Sequence, residues 1–91
     1  MISRTTKKFW KAYYKLPSEI KKSAKKSFLI FQKNPFHPGL HFKRIYSNQN
    51  IYSIRTSKDY RALGVVEDEN IIWFWIGSHS EYDKIVQTLR V

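Results

Sequence analysis

Cysteine is absent from this 91-residue chain. That excludes a disulfide framework and any thiolate metal site, and it suits a reducing cytoplasm. Long hydrophobic runs are missing as well. The longest wholly apolar stretch is Ile71–Ile76, far short of a membrane span. The N-terminus, MISRTTKKFWK, is charged but leads into no apolar segment, so a secretory signal is not expected. Acidic residues are scarce, seven Asp and Glu against seventeen Lys and Arg, for a formal net charge of +10. Such a field gathers polyanions, so nucleic acid or an acidic protein is the expected partner.

Enough remains to fold. A hydrophobic fraction of 42% with 16% aromatics argues against disorder, and the length suits one domain, residues 1–91, with a single core. Residues 1–4 form a candidate edge strand. Thr5 or Thr6 can cap a helix running to Tyr14, with Phe9, Tyr13 and Leu16 on one face. Pro17 interrupts it, and Ser18 starts a second helix to Lys33. Ile20, Ala24, Phe28 and Phe31 line one side of that helix, and Lys21, Lys22, Lys25 and Lys26 the other. The segment NPFHPG stops it.

From residue 40 the period becomes two. Residues 41–46, 51–56, 60–66 and 71–78 read as strands joined by the short polar segments SNQN, SKD and EDEN, an antiparallel meander. Residues 78–89 return to helical spacing through Tyr82, Ile85, Val86 and Leu89. The expected fold class is α+β: two N-terminal helices on a four-stranded antiparallel sheet, with a short C-terminal helix.

Alternation along the strands then assigns faces. Ile72, Phe74 and Ile76 are expected against the helices. Trp73, Trp75, Ser53, Arg55 and Arg61 are expected on the open face, since a buried unpaired guanidinium is costly. That face is either a nucleic-acid surface or a solvated sheet with Arg stacked on Trp. Ser78 and Glu81 form a capping-box pattern, which places His79 at the first helical position and Tyr82 one turn on. His79 and Tyr82 can transfer protons; equally, His79 can simply open a helix while Tyr82 packs. His37 and His41 lack the short spacing of a metal site, and no metal or cofactor is expected. Lys43 and Arg44, with the four helical lysines, suit phosphate contacts, although a lysine run is also an ordinary solvated helix face.

The segments NPFHPGLHFKRI, YSIRTSKDYRALGVV and IIWFWIGSHSEYDKI together resemble the RelE/ParE superfamily of type II toxins. The resemblance implies a RelE-like, microbial-RNase type of fold and a small acidic antitoxin as partner. It implies one of two activities. The RelE branch cleaves messenger RNA on the ribosome by attack of the 2′-OH, without metal; the ParE branch inhibits DNA gyrase without nuclease activity. A non-catalytic RNA-binding module is the third alternative. By the same resemblance, Arg61 and Arg55 hold the phosphate, Tyr82 stacks on a base or assists proton transfer, and His79 stands near a catalytic position. Ser53 stands where the RelE pattern has a lysine. Trp73 and Trp75 offer faces for a splayed base.

Overall fold

The computed structural model describes residues 1–46 and 49–89; the expected SNQN turn lies partly outside these residues, at Ser47 and Asn48. The elements, in order, are β1 (Ile2–Thr5), α1 (Lys7–Tyr14), α2 (Ser18–Lys33), a 3₁₀ turn (Pro38–Leu40), β2 (Lys43–Tyr46), β3 (Gln49–Ser57), β4 (Tyr60–Glu67), β5 (Asn70–Ser78) and α3 (His79–Leu89). No helix among the described residues is long and apolar enough to cross a membrane.

Local chemistry accounts for the joints. Thr6 accepts a hydrogen bond from the Phe9 N–H at 3.1 Å, capping α1, and its hydroxyl donates to the Trp73 carbonyl at 3.2 Å. One side chain therefore turns the chain from strand to helix and fastens that corner to the sheet. Pro17 separates the two helices, and the Lys21 N–H bonds its carbonyl at 3.0 Å. In the loop after α2, His37 Nδ1 accepts from the Gly39 N–H at 3.1 Å, so this histidine organises its own turn.

The sheet has five strands in the order β1-β5-β4-β3-β2. The expected four-stranded meander is present, but β1 joins it by pairing parallel to β5, Ile2 opposite Asn70 through Thr5 opposite Trp73. Four residues carry too little alternation to announce a partner nearly seventy positions away, so the expected count was one strand short. α1 and α2 cover one face and enclose the core. Phe9, Tyr13, Leu16, Ala24, Phe31, Ile54, Ala62, Ile71, Trp73 and Ile76 are buried there, and Ile20, Phe28 and Tyr52 pack at its margin.

The helix-facing row of β5 differs from the expected one. Leu63 pairs with Trp75 while its neighbour Gly64 pairs with Trp73, which leaves Phe74 as an extra residue, a β-bulge. The bulge shifts the alternation by one, so Ile71, Trp73 and Ile76 face the helices. Trp73 is 0% exposed, its ring edge-on to Phe28 at 5.1 Å and Phe31 at 5.3 Å. Its indole N–H donates to the Ser3 hydroxyl at 3.4 Å. An indole buries more apolar surface than Ile or Phe, so placing it in the core is favoured once its N–H is paired. Gly64 makes room: a Cβ there would lie 2.9 Å from Trp73 Cε3 and 2.8 Å from Ile71 Cγ1.

Candidate functional site

The second face of the sheet carries α3. Ser53 pairs with Leu63 and Arg55 with Arg61, while the intervening Ile54 and Ala62 enter the helix-covered core. Ser53, Arg55, Arg61 and Leu63 therefore share the opposite face. Alternation across Gly77, which pairs with Arg61, and Trp75, which pairs with Leu63, places these residues there too. The face is not open as expected, because Tyr82 of α3 reaches down to Ser53, hydroxyl to hydroxyl at 3.5 Å.

Arg55 and Arg61 are direct cross-strand neighbours, two positive charges where a sheet would ordinarily place complementary ones. Arg61 is held by its surroundings. Its Nη1 donates to the carbonyls of Ser57, Lys58 and Tyr60 at 3.2, 3.3 and 2.9 Å, which locks the guanidinium against the β3–β4 turn. Burial first, and the Arg55 charge second, lower its pKa from the ordinary value, while Tyr82, Asp59 and Asp83 act in the opposite sense. Arginine stays protonated at neutral pH, so the conflict remains as repulsion between two fixed cations. A bound anion would relieve it.

At the end of this face α3 begins. Ser78 and Glu81 close the expected capping box: the Glu81 N–H donates to Ser78 Oγ at 3.3 Å, and Glu81 Oε1 accepts from the Ser78 N–H at 3.3 Å and its hydroxyl at 3.0 Å. The His79 N–H donates to the Asp59 carbonyl at 2.7 Å, tying the helix start to the same turn that Arg61 braces. His79 Nδ1 lies 3.2 Å from Asp83 Oδ2, one helical turn later. With Nδ1 against a carboxylate, Nε2 is the nitrogen that can exchange a proton with a ligand. Both side chains are accessible, at 45% and 58% exposure, and with Asp59, Ser78 and Ser80 they line a shallow cleft.

The structure thus gathers Arg55, Arg61, His79 and Tyr82 at one end of one face. Lys43 pairs with Ser53 and lies on that face one strand further out. Other expected residues lie apart. Trp73 is in the core and offers no face to a base, whereas Trp75 is half-buried, with its ring over Gly77. Tyr82, at 8% exposure, is too covered to stack on a base in this arrangement. Arg44 is spent on its own hairpin, donating to the Gln49 carbonyl at 3.1 Å and Asn50 Oδ1 at 2.6 Å. Lys21, Lys22, Lys25 and Lys26 belong to α2, on the far side of the sheet. Lys22 pairs with Glu19 at 3.7 Å, and Lys21 Nζ sits 5.8 Å from the Tyr14 ring centroid. Asp83 and Asp59 were not anticipated; the i, i+4 spacing of His79 and Asp83 was the available signal for the first. Among the described residues, no three His, Cys, Asp or Glu side chains gather as a metal site.

The sequence and the fold have counterparts among known proteins. The family described as ParE-like toxin domain matches residues 18–84. No curated protein matches the sequence. Among solved structures, a chain of the RelB–RelE antitoxin–toxin complex from Methanococcus jannaschii is similar at 26% identity, covering 89% of this chain and 96% of that one, with a TM-score of 0.72. YafQ from E. coli strain BL21(DE3) shares the fold at 12% identity, covering 88% and 94%, with a TM-score of 0.71. The YoeB/ParE toxin from Agrobacterium tumefaciens shares it at 13% identity, covering 87% and 99%, with a TM-score of 0.68.

Proposed function

Since the chain belongs to the ParE-like toxin domain family, the toxin side of a toxin–antitoxin system, we propose that it inhibits translation as a metal-independent endoribonuclease on ribosome-bound messenger RNA. The observation that carries this reading is the His79–Asp83 pair, set beside two arginines that face each other. A protein that only binds gyrase has no need of an imidazole oriented for proton transfer.

The chemistry follows from the groups present. The 2′-oxygen of one nucleotide attacks the adjacent phosphorus as its proton passes to His79 Nε2. The bond from phosphorus to the 5′-oxygen breaks, leaving a 2′,3′-cyclic phosphate and a 5′-OH. The leaving oxygen takes its proton from solvent, which reaches this exposed cleft. Charge on the pentacoordinate phosphorus is met by Arg55 and Arg61, the second already held by backbone carbonyls before substrate arrives. Asp83, 3.2 Å from Nδ1, orients the imidazole. The site of action is the cytoplasm, and the partner is a cognate antitoxin, for which the +10 charge favours an acidic chain.

One observation favours the gyrase-inhibitor reading. Ser53, where the RelE pattern has a lysine, is buried beneath Tyr82, so the shared face has one cation fewer next to Arg55. Controlled expression with mapping of messenger 5′ ends decides. Ribosome-phased cuts are expected, reduced about 10²- to 10⁴-fold in His79→Ala and about 10²- to 10³-fold in Arg61→Ala. Intact messages with inhibited supercoiling would refute the nuclease. Neither arrest nor cleavage would leave a plain RNA-binding module.

A further inference from the structure

β1 pairs with β5 only from Asn70 to Trp73, because the chain then leaves the sheet at Thr6 to form α1. The second half of β5 therefore has a strand neighbour on one side only. Beside this edge runs a groove of about 330 Å³ between α1 and the end of β5. Lys8, Lys11 and Lys15 line its α1 wall, and Tyr60, Trp75 and Ser78 are part of the sheet wall. The three lysines fall at i, i+3 and i+7, on one side of α1, and all are exposed. Among the described residues, none has a carboxylate within ion-pair distance. Glu81 is the acid in the lining, and its carboxylate is engaged by Ser78.

We infer that this groove is a second phosphate track, which holds the RNA backbone where it leaves the cleavage site over the open edge of β5. The inference rests on the nuclease reading and adds how the substrate lies. Continuity supports it. Ser78 lines both this groove and the His79 cleft, and Gly77 in the groove is the cross-strand partner of Arg61. Composition favours RNA over an acidic peptide, because half-buried Trp75 and Tyr60 stand beside the cations. Single-strand binders combine such a charged wall with aromatic faces on which bases stack. The lysines concerned are those of α1, not the α2 run that stands out in the sequence.

The test is binding of a fluorescent single-stranded oligoribonucleotide, measured by anisotropy between 50 and 200 mM salt. Lys8→Gln/Lys11→Gln/Lys15→Gln is compared with Arg4→Gln/Lys7→Gln/Lys33→Gln, which removes the same charge outside the groove lining. Each phosphate contact contributes about 0.7 to the slope of log K against log salt. The groove variant should therefore be shallower by about 2, so wild type loses about twenty-fold more affinity than the variant over that range. The control variant should keep most of the wild-type slope. Repeating the measurement with ribosomes separates the sources. A difference seen with both supports a messenger path; one seen only with ribosomes assigns the phosphates to ribosomal RNA and overturns the messenger track. Equal slopes for the two variants, no RNA binding by wild type, or lost antitoxin affinity with RNA binding intact would each overturn the track. Cleavage without a slope difference would sink the groove and leave the nuclease; the slope difference without cleavage would do the reverse.

Discussion

Replacing Arg55 by Gln should make the protein more stable and less active at once. Arg55 and Arg61 are direct cross-strand partners on a face partly covered by α3, and like charges so placed destabilise a sheet by about 0.2–1 kcal/mol. Gln retains most of the aliphatic stem, so little packing is lost. The expected gain is up to about 1 kcal/mol at low salt, which for a domain of this size raises Tm by about 4–8 °C. Added salt should shrink the difference by screening. Activity should fall about 10²- to 10³-fold, as for other groups that stabilise transition-state charge. Sulfate gives an independent reading. At ten times its Kd it should stabilise wild type by about 1.4 kcal/mol, and the variant much less. Calorimetry over a salt series, with and without sulfate, measures the three stability effects, and mapping of messenger 5′ ends measures the activity. A lower Tm for Arg55→Gln at low salt, or wild-type activity, would refute the view that the two cations are held together for an anion.

Asp83→Asn removes the charge beside His79. Because the pair is exposed, its coupling is worth up to about 1 kcal/mol, so the cleavage rate should drop two- to fivefold. Trp73→Ala should cost about 3–5 kcal/mol in urea unfolding, while Trp75→Ala should cost clearly less and weaken RNA binding instead. Ser78→Ala opens the capping box; about 1 kcal/mol of stability should be lost, with faster amide exchange in the first turn of α3 and slower cleavage.

Much of this was legible along the chain because it depends on near neighbours. The cap at Thr6, the break at Pro17, the buried row Phe9, Tyr13 and Leu16, and the capping box Ser78–Glu81 each act within one or two turns. The pairing of Arg55 with Arg61 was also within reach, since a short polar turn joins their strands. The place of Trp73 was not. Its side of the sheet depends on a bulge at Phe74, which shifts the alternation by one residue, and on the space left at Gly64.

The sequence by itself determined the elements, the positive charge and the set of groups able to move a proton or hold a phosphate. Periodicity and capping are written in residues a few positions apart, and charge is a sum that needs no fold. The tertiary structure alone decided which lysines stand near the two arginines and which do not. A sheet is one layer thick but has two faces, and the helix lysines most prominent in the sequence lie on the far one. It also joined β1 to β5 for only four residues, which left the edge beside the α1 lysines open. His79 does begin a helix, and that beginning is what sets its imidazole against Asp83.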